Sequence, residues 1–432
     1  MIGKPIEYKT LSQAQVDEAC KRHDFLMSGR MGGARANFSY KVLKGLDLSG
    51  RNLADADLSG AILEGCNLAG ANLTRATLFA ADLRRANLAG AVLHRADMRG
   101  AVLRGADLTG ADLSQADLRE GAIAQVDREK GLAILTHEQR PGEATEASFA
   151  RANLTQTKMT GAIAQSADFS DAVLIGARLT RANLRNSRFP GANLEGADLQ
   201  GADLTDADLR DTVLIGTRLE MAQLQGADMA GSLRDAPPAE IADPGGETAK
   251  ALDRHARWCE TGGAEGAPST FDGKDLRGLK TLARRNLTAL HARGAVLYGL
   301  DMEGAELQGA KLANADLRMT SLRGADLRGA DLSGARLNNA DLREARLGPL
   351  LLPNERLLAA SLAAAVLRYA DLSGADLRNI EAKGADLSYA RLHGADVRKA
   401  RFSGACFTGA KLPTTFRSEA EDLSGAVDVS AA

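Results

Sequence analysis

The chain is short of aromatic residues: they make up 4% of its 432 residues, with one tryptophan among them. Apolar residues still reach 44%, so a core has to be assembled from aliphatic side chains. Charge of one sign is missing as well. The formal net charge is −2 and no segment is strongly polarised, which sets aside both the basic stripe of a nucleic-acid binder and an acidic DNA-like surface. The four cysteines, Cys20, Cys66, Cys259 and Cys406, lie far apart without a CxxC spacing. That fits reduced thiols in a cytosolic protein better than a disulfide framework. No apolar run of about 18 residues exists, and the N-terminus lacks the charged-then-apolar order of a signal peptide. The expectation is a cytoplasmic protein with no membrane and no nucleic acid among its partners.

Catalytic and metal-binding patterns are missing too. The six histidines are dispersed, with no HxxxH or HExxH pairing, and neither GxxxxGKS/T nor GxSxG occurs. Cys20 with His23, and Cys259 with His255, read as small buried thiols beside partly exposed imidazoles. No catalytic residue, cofactor site or metal ligand is assigned, and no small-molecule substrate is expected.

What is present is one five-residue phrase, A-D/N-L-x-x, repeated through most of the chain. It is plain at Ala56-Asp57-Leu58, Ala71-Asn72-Leu73, Ala106-Asp107-Leu108, Ala202-Asp203-Leu204, Ala325-Asp326-Leu327 and Ala385-Asp386-Leu387. Numbering each motif by its central apolar residue i, centres run from Phe38 and Leu43 to Ile123, then from Phe149 and Leu154 to Met229. A third run begins at Phe271 and Leu276, slips by one residue, and holds from Leu282 to Leu412. Period five cannot keep one stripe on a 3.6-residue helix. On an extended segment, residues i−2 and i share the inner face, i−1 and i+1 face outward, and i+2 falls at a turn.

A longer period shows in Phe149, Phe169 and Phe189, twenty residues apart. Val173-Leu174-Ile175-Gly176 likewise returns as Val213-Leu214-Ile215-Gly216. Four motifs then make one square coil, with like positions stacking on the coil below at about 4.8 Å. An architecture of this kind buries its core only by stacking units. The expected fold class is an all-β solenoid.

On these motifs the chain resembles the pentapeptide-repeat proteins. That resemblance implies a right-handed quadrilateral β-helix and no enzymatic activity. Some members of the family resemble duplex DNA in width and charge, bind type II topoisomerases and protect against quinolones. The near-neutral charge and evenly mixed arginines of this chain argue against such mimicry. The favoured reading is a non-enzymatic, rod-like scaffold for an unknown protein partner or for self-association, and the topoisomerase regulator is the alternative.

Two segments outside the repeats resemble each other: Cys20 to Gly29 leading to Phe38, and His255 to Gly263 leading to Phe271. Each reads as a helix, a glycine-containing turn, and a phenylalanine at the first repeat centre. Ser12 and Gln15 have capping-box spacing, and Val16, Ala19, Cys20, His23 and Leu26 give one apolar-leaning helix face. The expectation is two tandem halves, each with an N-terminal helical cap, the helices covering residues 12–27 and 248–260. The cap at 1–35 precedes a β-helix at 36–232 with an insertion at 124–147. A Pro/Gly-rich linker at 233–247 leads to the second cap at 248–268. The second β-helix, 269–413, has a degenerate segment at 348–364 whose Asn354 to Ala360 leans helical, and residues 414–432 form a C-terminal tail.

The repeated aspartates are expected to bond local backbone N–H groups rather than carry chemistry. Arg318, Arg378 and Arg398, each two residues after an aspartate, are expected on one wall as a solvated ladder of ion pairs. Val42, Ile62 and Val102 form an outward apolar column. The candidate interaction patch is Val173, Ile175, Val213 and Ile215, which share i−1 and i+1 places on one wall. Phe402 and Phe407 are repeat centres and should point inward rather than form a dimer contact with Phe416.

Overall fold

The residue before each central leucine pairs in parallel with its equivalent twenty residues on. Asn37 pairs with Asp57, Val42 with Ile62, Asp47 with Asn67 and Asn52 with Asn72. In this computed structural model, which describes residues 8–122, 139–234, 246–279, 281–353 and 355–429, those four pairings make one coil of four walls. The ladder is dense: Leu58 N–H donates to Thr77 O at 2.7 Å, and Thr77 N–H returns to Ala56 O at 2.9 Å. Leu58, Leu63, Leu68 and Leu73 lie on four successive walls and are fully buried. Burying one such leucine is worth roughly 1.5–3 kcal/mol, so stability accumulates coil by coil. Corners fall at i+2, where the backbone takes positive φ, as at Gly60 (61°) and Asp55 (60°). Glycine accepts that geometry without steric cost.

The chain divides into two compact units, Met1–Ala236 and Pro237–Ala432. In the first, β1 (Lys9–Thr10) adds a parallel strand to β2 (Lys41–Val42) at the opening coil. Between them α1 (Gln13–Met27) carries the expected capping box at Ser12 and Gln15. It turns Val16, Cys20 and His23 onto the coil. Leu26, expected on the same face, is instead 46% exposed.

The ladder of this unit breaks once. β3 (Gly121–Ala122) pairs antiparallel with β4 (Gln139–Arg140), and coiling resumes at Glu143, which pairs with Val102. The insertion is therefore shorter than the expected 124–147. Ala144 and Ala147 are already buried in the core, disguised because alanine replaces leucine at that centre. Residues 123–138 lie outside the described residues. The column Phe149, Phe169 and Phe189 stacks with ring centroids 4.9 and 4.7 Å apart. In the last coil Leu219, Leu224 and Met229 are only partly buried.

The second unit opens with α2 (Glu247–Glu260); residues 235–245 of the expected linker lie outside the described residues. Its first coil spans 21 residues, Thr270 pairing with His291 and Asp275 with Val296. The 3-10 turn Arg277–Leu279 lies where the sequence slips. The segment expected to lean helical is a hairpin: β5 (Leu350–Leu351) pairs antiparallel with β6 (Leu357–Leu358). The ladder around it steps by thirty residues, Asp331 to Ser361 and Arg336 to Val366, so Ser361 and Leu362 are already back in the coil.

Residues 414–429 of the expected C-terminal tail pack on the coil. The short helix α3 (Phe416–Glu419) is followed by two further pairings, Arg401 with Asp422 and Cys406 with Val427. Phe416 is buried against Phe402 and Phe407, with centroids 5.3 and 5.1 Å away. The three aromatics plug the end of the core and offer no aromatic surface.

Candidate functional site

The outward column of aspartates and asparagines is occupied by local bonding. Ser59 N–H donates to Asp57 Oδ1 at 3.0 Å, Thr109 N–H to Asp107 at 2.9 Å, and Ser333 N–H to Asp331 at 3.2 Å. An arginine at i+1 adds its own fork to the same carboxylate. Arg378 reaches Asp376 at 2.8 Å through both Nε and Nη2, and Arg84 does the same to Asp82 at 2.8 and 2.5 Å. These exposed pairs are each worth at most about 1 kcal/mol.

Two arginines depart from this: Arg277, 6% exposed on Asp275, and Arg318. The ten residues looped out by the hairpin amount to half a coil, so Asp376–Arg378 and Asp396–Arg398 stand on the wall opposite Asp316–Arg318. The three arginines do not share a wall. Nor is the Asp316–Arg318 pair solvated: the two side chains are 2% and 3% exposed, joined at 2.6 Å. Burial pushes the Asp316 carboxyl up, but the hydrogen bond from Arg318 and the charges of Arg318 and Arg336 outweigh it. The net shift is below the usual carboxylate range.

Val173, Ile175, Val213 and Ile215 do lie on one wall, in the column Asn153, Val173, Asn193, Val213 and Leu233. They do not form a continuous apolar surface. Asn193 and Glu195 stand between the two pairs, and Val213 is 3% exposed. Only Ile175, at 37%, presents much surface. On the opposite wall Val42, Ile62 and Val102 flank Asp82 as expected.

A stronger apolar feature is the hairpin, which the motif reading did not resolve. Leu350 and Leu358 pack inward on the corner at Gly329, where an added Cβ would fall 2.9 Å from Leu350 Cβ and 3.0 Å from Leu358 Cδ2. The next cross-strand pair, Leu351 and Leu357, points away and is 66% and 56% exposed. The three leucines before Pro353, Leu350 to Leu352, and the pair Leu357-Leu358 after it were the available signal.

The caps each hold a histidine that is buried, not partly exposed. His23 Nδ1 accepts the Ala36 N–H at 3.1 Å and Nε2 meets Ala54 O at 2.9 Å. His255 repeats this with the Ser269 N–H at 3.1 Å and Thr288 O at 3.1 Å. Each ring is therefore a neutral Nε2–H tautomer that ties the cap to its first coil. Cys20 and Cys66 are buried thiols, each pushed up to about 11 mainly by desolvation. Neither is an activated nucleophile.

Among the described residues no three His, Cys, Asp or Glu side chains converge as a metal site. No helix there is long and apolar enough to cross a membrane. A cleft of about 480 Å³ lies between α2 and its first coil. Two of its charged lining residues pair with each other, Arg285 with Asp253 at 2.7 Å, and a third, Arg257, pairs with Glu265 outside it at 2.6 Å.

A family model described as pentapeptide repeats matches residues 52–78, 81–119, 147–186, 167–206, 192–231, 286–318, 310–348, 356–381 and 382–412. No curated protein matches the chain. Among solved structures, the chain is similar to HetL, a pentapeptide repeat protein involved in heterocyst differentiation regulation from the cyanobacterium Nostoc sp. strain PCC 7120. The identity is 28%, over 48% of this chain and 93% of that one, with a TM-score of 0.23. It is also similar to QnrB1, a plasmid-mediated fluoroquinolone resistance protein, at 21% identity, 48% and 89% coverage and a TM-score of 0.23. Rfr23, a pentapeptide repeat protein from the cyanobacterium Cyanothece 51142, matches at 29% identity, 30% and 91% coverage and a TM-score of 0.18.

Proposed function

This chain belongs to the pentapeptide-repeat family, and from that premise we propose that it is a non-enzymatic scaffold that binds a protein partner or a second copy of itself. We read its two units as two copies of one plan, a helical cap followed by a right-handed quadrilateral β-helix. The observation that carries the functional reading is the hairpin. Leu350 and Leu358 anchor it at Gly329, while Leu351 and Leu357 are held outward as a cross-strand apolar pair. Loops on a rigid scaffold are the usual carriers of recognition, and an outward apolar pair has no role in the folding of the coil beneath it. Ile175 and its neighbour Val173 make a second, smaller contact surface on the other unit. Pairing of arginine with aspartate along the walls supports a scaffold over a DNA mimic, because it neutralises the charge that mimicry requires.

The reading is tested in cells of the native host with a photo-crosslinking residue in place of Leu357. A discrete adduct, to another protein or to the chain itself, is expected there. None is expected from the same residue in place of the exposed Glu303. Equal, diffuse labelling from both positions discards the hairpin as a recognition element.

A further inference from the structure

The turn that ends the first cap carries more apolar and cationic surface than a cap needs. Met31 is 98% exposed, Leu26 46% and Met27 40%. Around them, Lys21 and Arg30 lean over the ring of Phe25, with the charged groups 6.0 and 5.9 Å from its centroid. Among the described residues no carboxylate pairs with Lys21, Arg22 or Arg30. Residues 21–31 hold those three cations and one acidic residue, Asp24, so the tip carries 3 − 1 = +2 with His23 neutral.

The second cap serves as an internal control. It has the same buried histidine bridging the same kinds of groups, yet its turn presents Glu260, Gly262, Gly263 and Glu265. Its arginine, Arg257, is paired with Glu265 at 2.6 Å. A cap of this design therefore folds without an apolar, cationic tip.

We propose that the tip of the first cap, Leu26, Met27 and Met31 ringed by Lys21, Arg22 and Arg30, docks on an anionic lipid surface. The charge complements acidic headgroups, and each cation near such a surface strengthens binding by about fivefold. The shape points the same way. Leu26 and Met27 end α1 and Met31 follows in the turn, all exposed, which suits insertion into the headgroup boundary, whereas a protein anchor of this kind would need a matching pocket. That no helix among the described residues can span a membrane does not bear on a surface attachment.

Co-sedimentation of the full chain with phosphatidylserine–phosphatidylcholine vesicles, against vesicles of phosphatidylcholine alone, tests this. Binding is expected to the first and not the second, weakening as salt rises. Lys21→Glu with Arg30→Glu should lower the anionic-vesicle affinity by roughly tenfold or more. Leu26→Ser with Met31→Ser should lower it by about tenfold, without changing the thermal unfolding of these exposed sites. Met221→Ser, at a residue 83% exposed elsewhere, should leave binding unchanged. Wild-type protein that ignores anionic vesicles, or binding that survives both double variants, overturns the proposal. A tip that engages only an acidic protein gives the first of those results. None of these outcomes touches the hairpin reading, which crosslinking at Leu357 tests separately.

Discussion

The two caps close the same kind of opening with different parts. In the first unit the exposed edge of coil one is covered by main chain, Thr10 pairing with Val42. The Gln13 side-chain amide continues this, bonding Asp47 in both directions at 2.8 and 2.9 Å as a strand would. Asp17 adds an ion pair to Arg51 at 2.7 Å. The second unit has a matching ion pair, Asp253 with Arg285 at 2.7 Å, but its other contacts are smaller groups: Cys259 Sγ meets Thr288 O at 3.4 Å, and Ser269 Oγ donates to Ala251 O at 2.9 Å. Beyond that ion pair, what the two share is the buried imidazole. A neutral ring offers one acceptor and one donor on opposite edges. It can therefore satisfy both the N–H of the entering chain and the carbonyl of the first coil, two groups that are costly to bury unpaired. The imidazole is the working part, and the remainder of each cap is free to differ.

The most severe way to break this comparison is to remove the ring. His23→Ala and His255→Ala each leave a cavity beside an unsatisfied N–H and C=O, a loss of about 3 kcal/mol for the unit concerned. The single tryptophan, Trp258, lies on α2 with its ring 5.9 Å from that of His255. Urea unfolding of the full chain followed by Trp258 fluorescence should therefore shift strongly with His255→Ala. With His23→Ala the loss should show instead in the far-ultraviolet signal. Equal displacement of the Trp258 transition by both variants would mean that the caps do not act on their own coils.

The same contrast shows how much the sequence discloses. The four-walled coil is legible because Leu58, Leu63, Leu68 and Leu73 must each find one interior, and a strict period leaves one arrangement. Loops within the ladder are less legible, since period five conceals which wall a motif occupies. The hairpin removes half a coil without disturbing the five-residue phase, so Arg318 and Arg378 look aligned in sequence and stand on opposite walls. The first insertion shifts the phase by one residue, yet Asp112 still hands on to Asn153 in the same column. Burial of outward positions is not legible at all. Nothing local distinguishes Val213, at 3% exposure, from Val173 at the same motif place, which is only half-buried. The His23 staple was hidden for a related reason: its partners Ala36 and Ala54 are main-chain groups and leave no mark in a motif.

A change of pH sharpens the comparison without altering a residue. Burial holds the His255 imidazole below its ordinary value of 6.5. The unfolded chain then binds a proton more readily than the folded one, and stability rises with pH through that window. The contribution of His255 is complete above 6.5 and is lost as pH falls toward and through the folded value. Asp316 behaves in the same sense in a lower window: its carboxyl is depressed, so its contribution is full above the ordinary 3.8 and lost only below it. The Trp258 transition should therefore weaken between neutrality and mildly acidic pH, before any carboxylate is protonated. His255→Gln should remove that early dependence, and a transition flat down to pH 5 in the wild type would show that the ring is not held neutral.

The smallest difference between the caps lies at their helix starts. Ser12 caps α1 with φ −85° and ψ 162°, and its hydroxyl accepts the Gln15 N–H while the Gln15 side chain returns to the Ser12 N–H at 2.9 Å. Gly246 holds the same place on α2 in nearly the same conformation, φ −66° and ψ 166°, but supplies no side-chain bond. Ser12→Ala should cost about 1 kcal/mol, since it removes a capping hydroxyl. Gly246→Ser should return less, a gain of a few tenths of a kcal/mol. Serine enters that backbone without strain, but Ala249 occupies the position where a glutamine would complete the reciprocal box. Denaturant midpoints read by Trp258 fluorescence resolve the second change. A gain as large as the loss from Ser12→Ala would show that the hydroxyl alone makes the cap, and that the Gln15 half of the first box adds nothing.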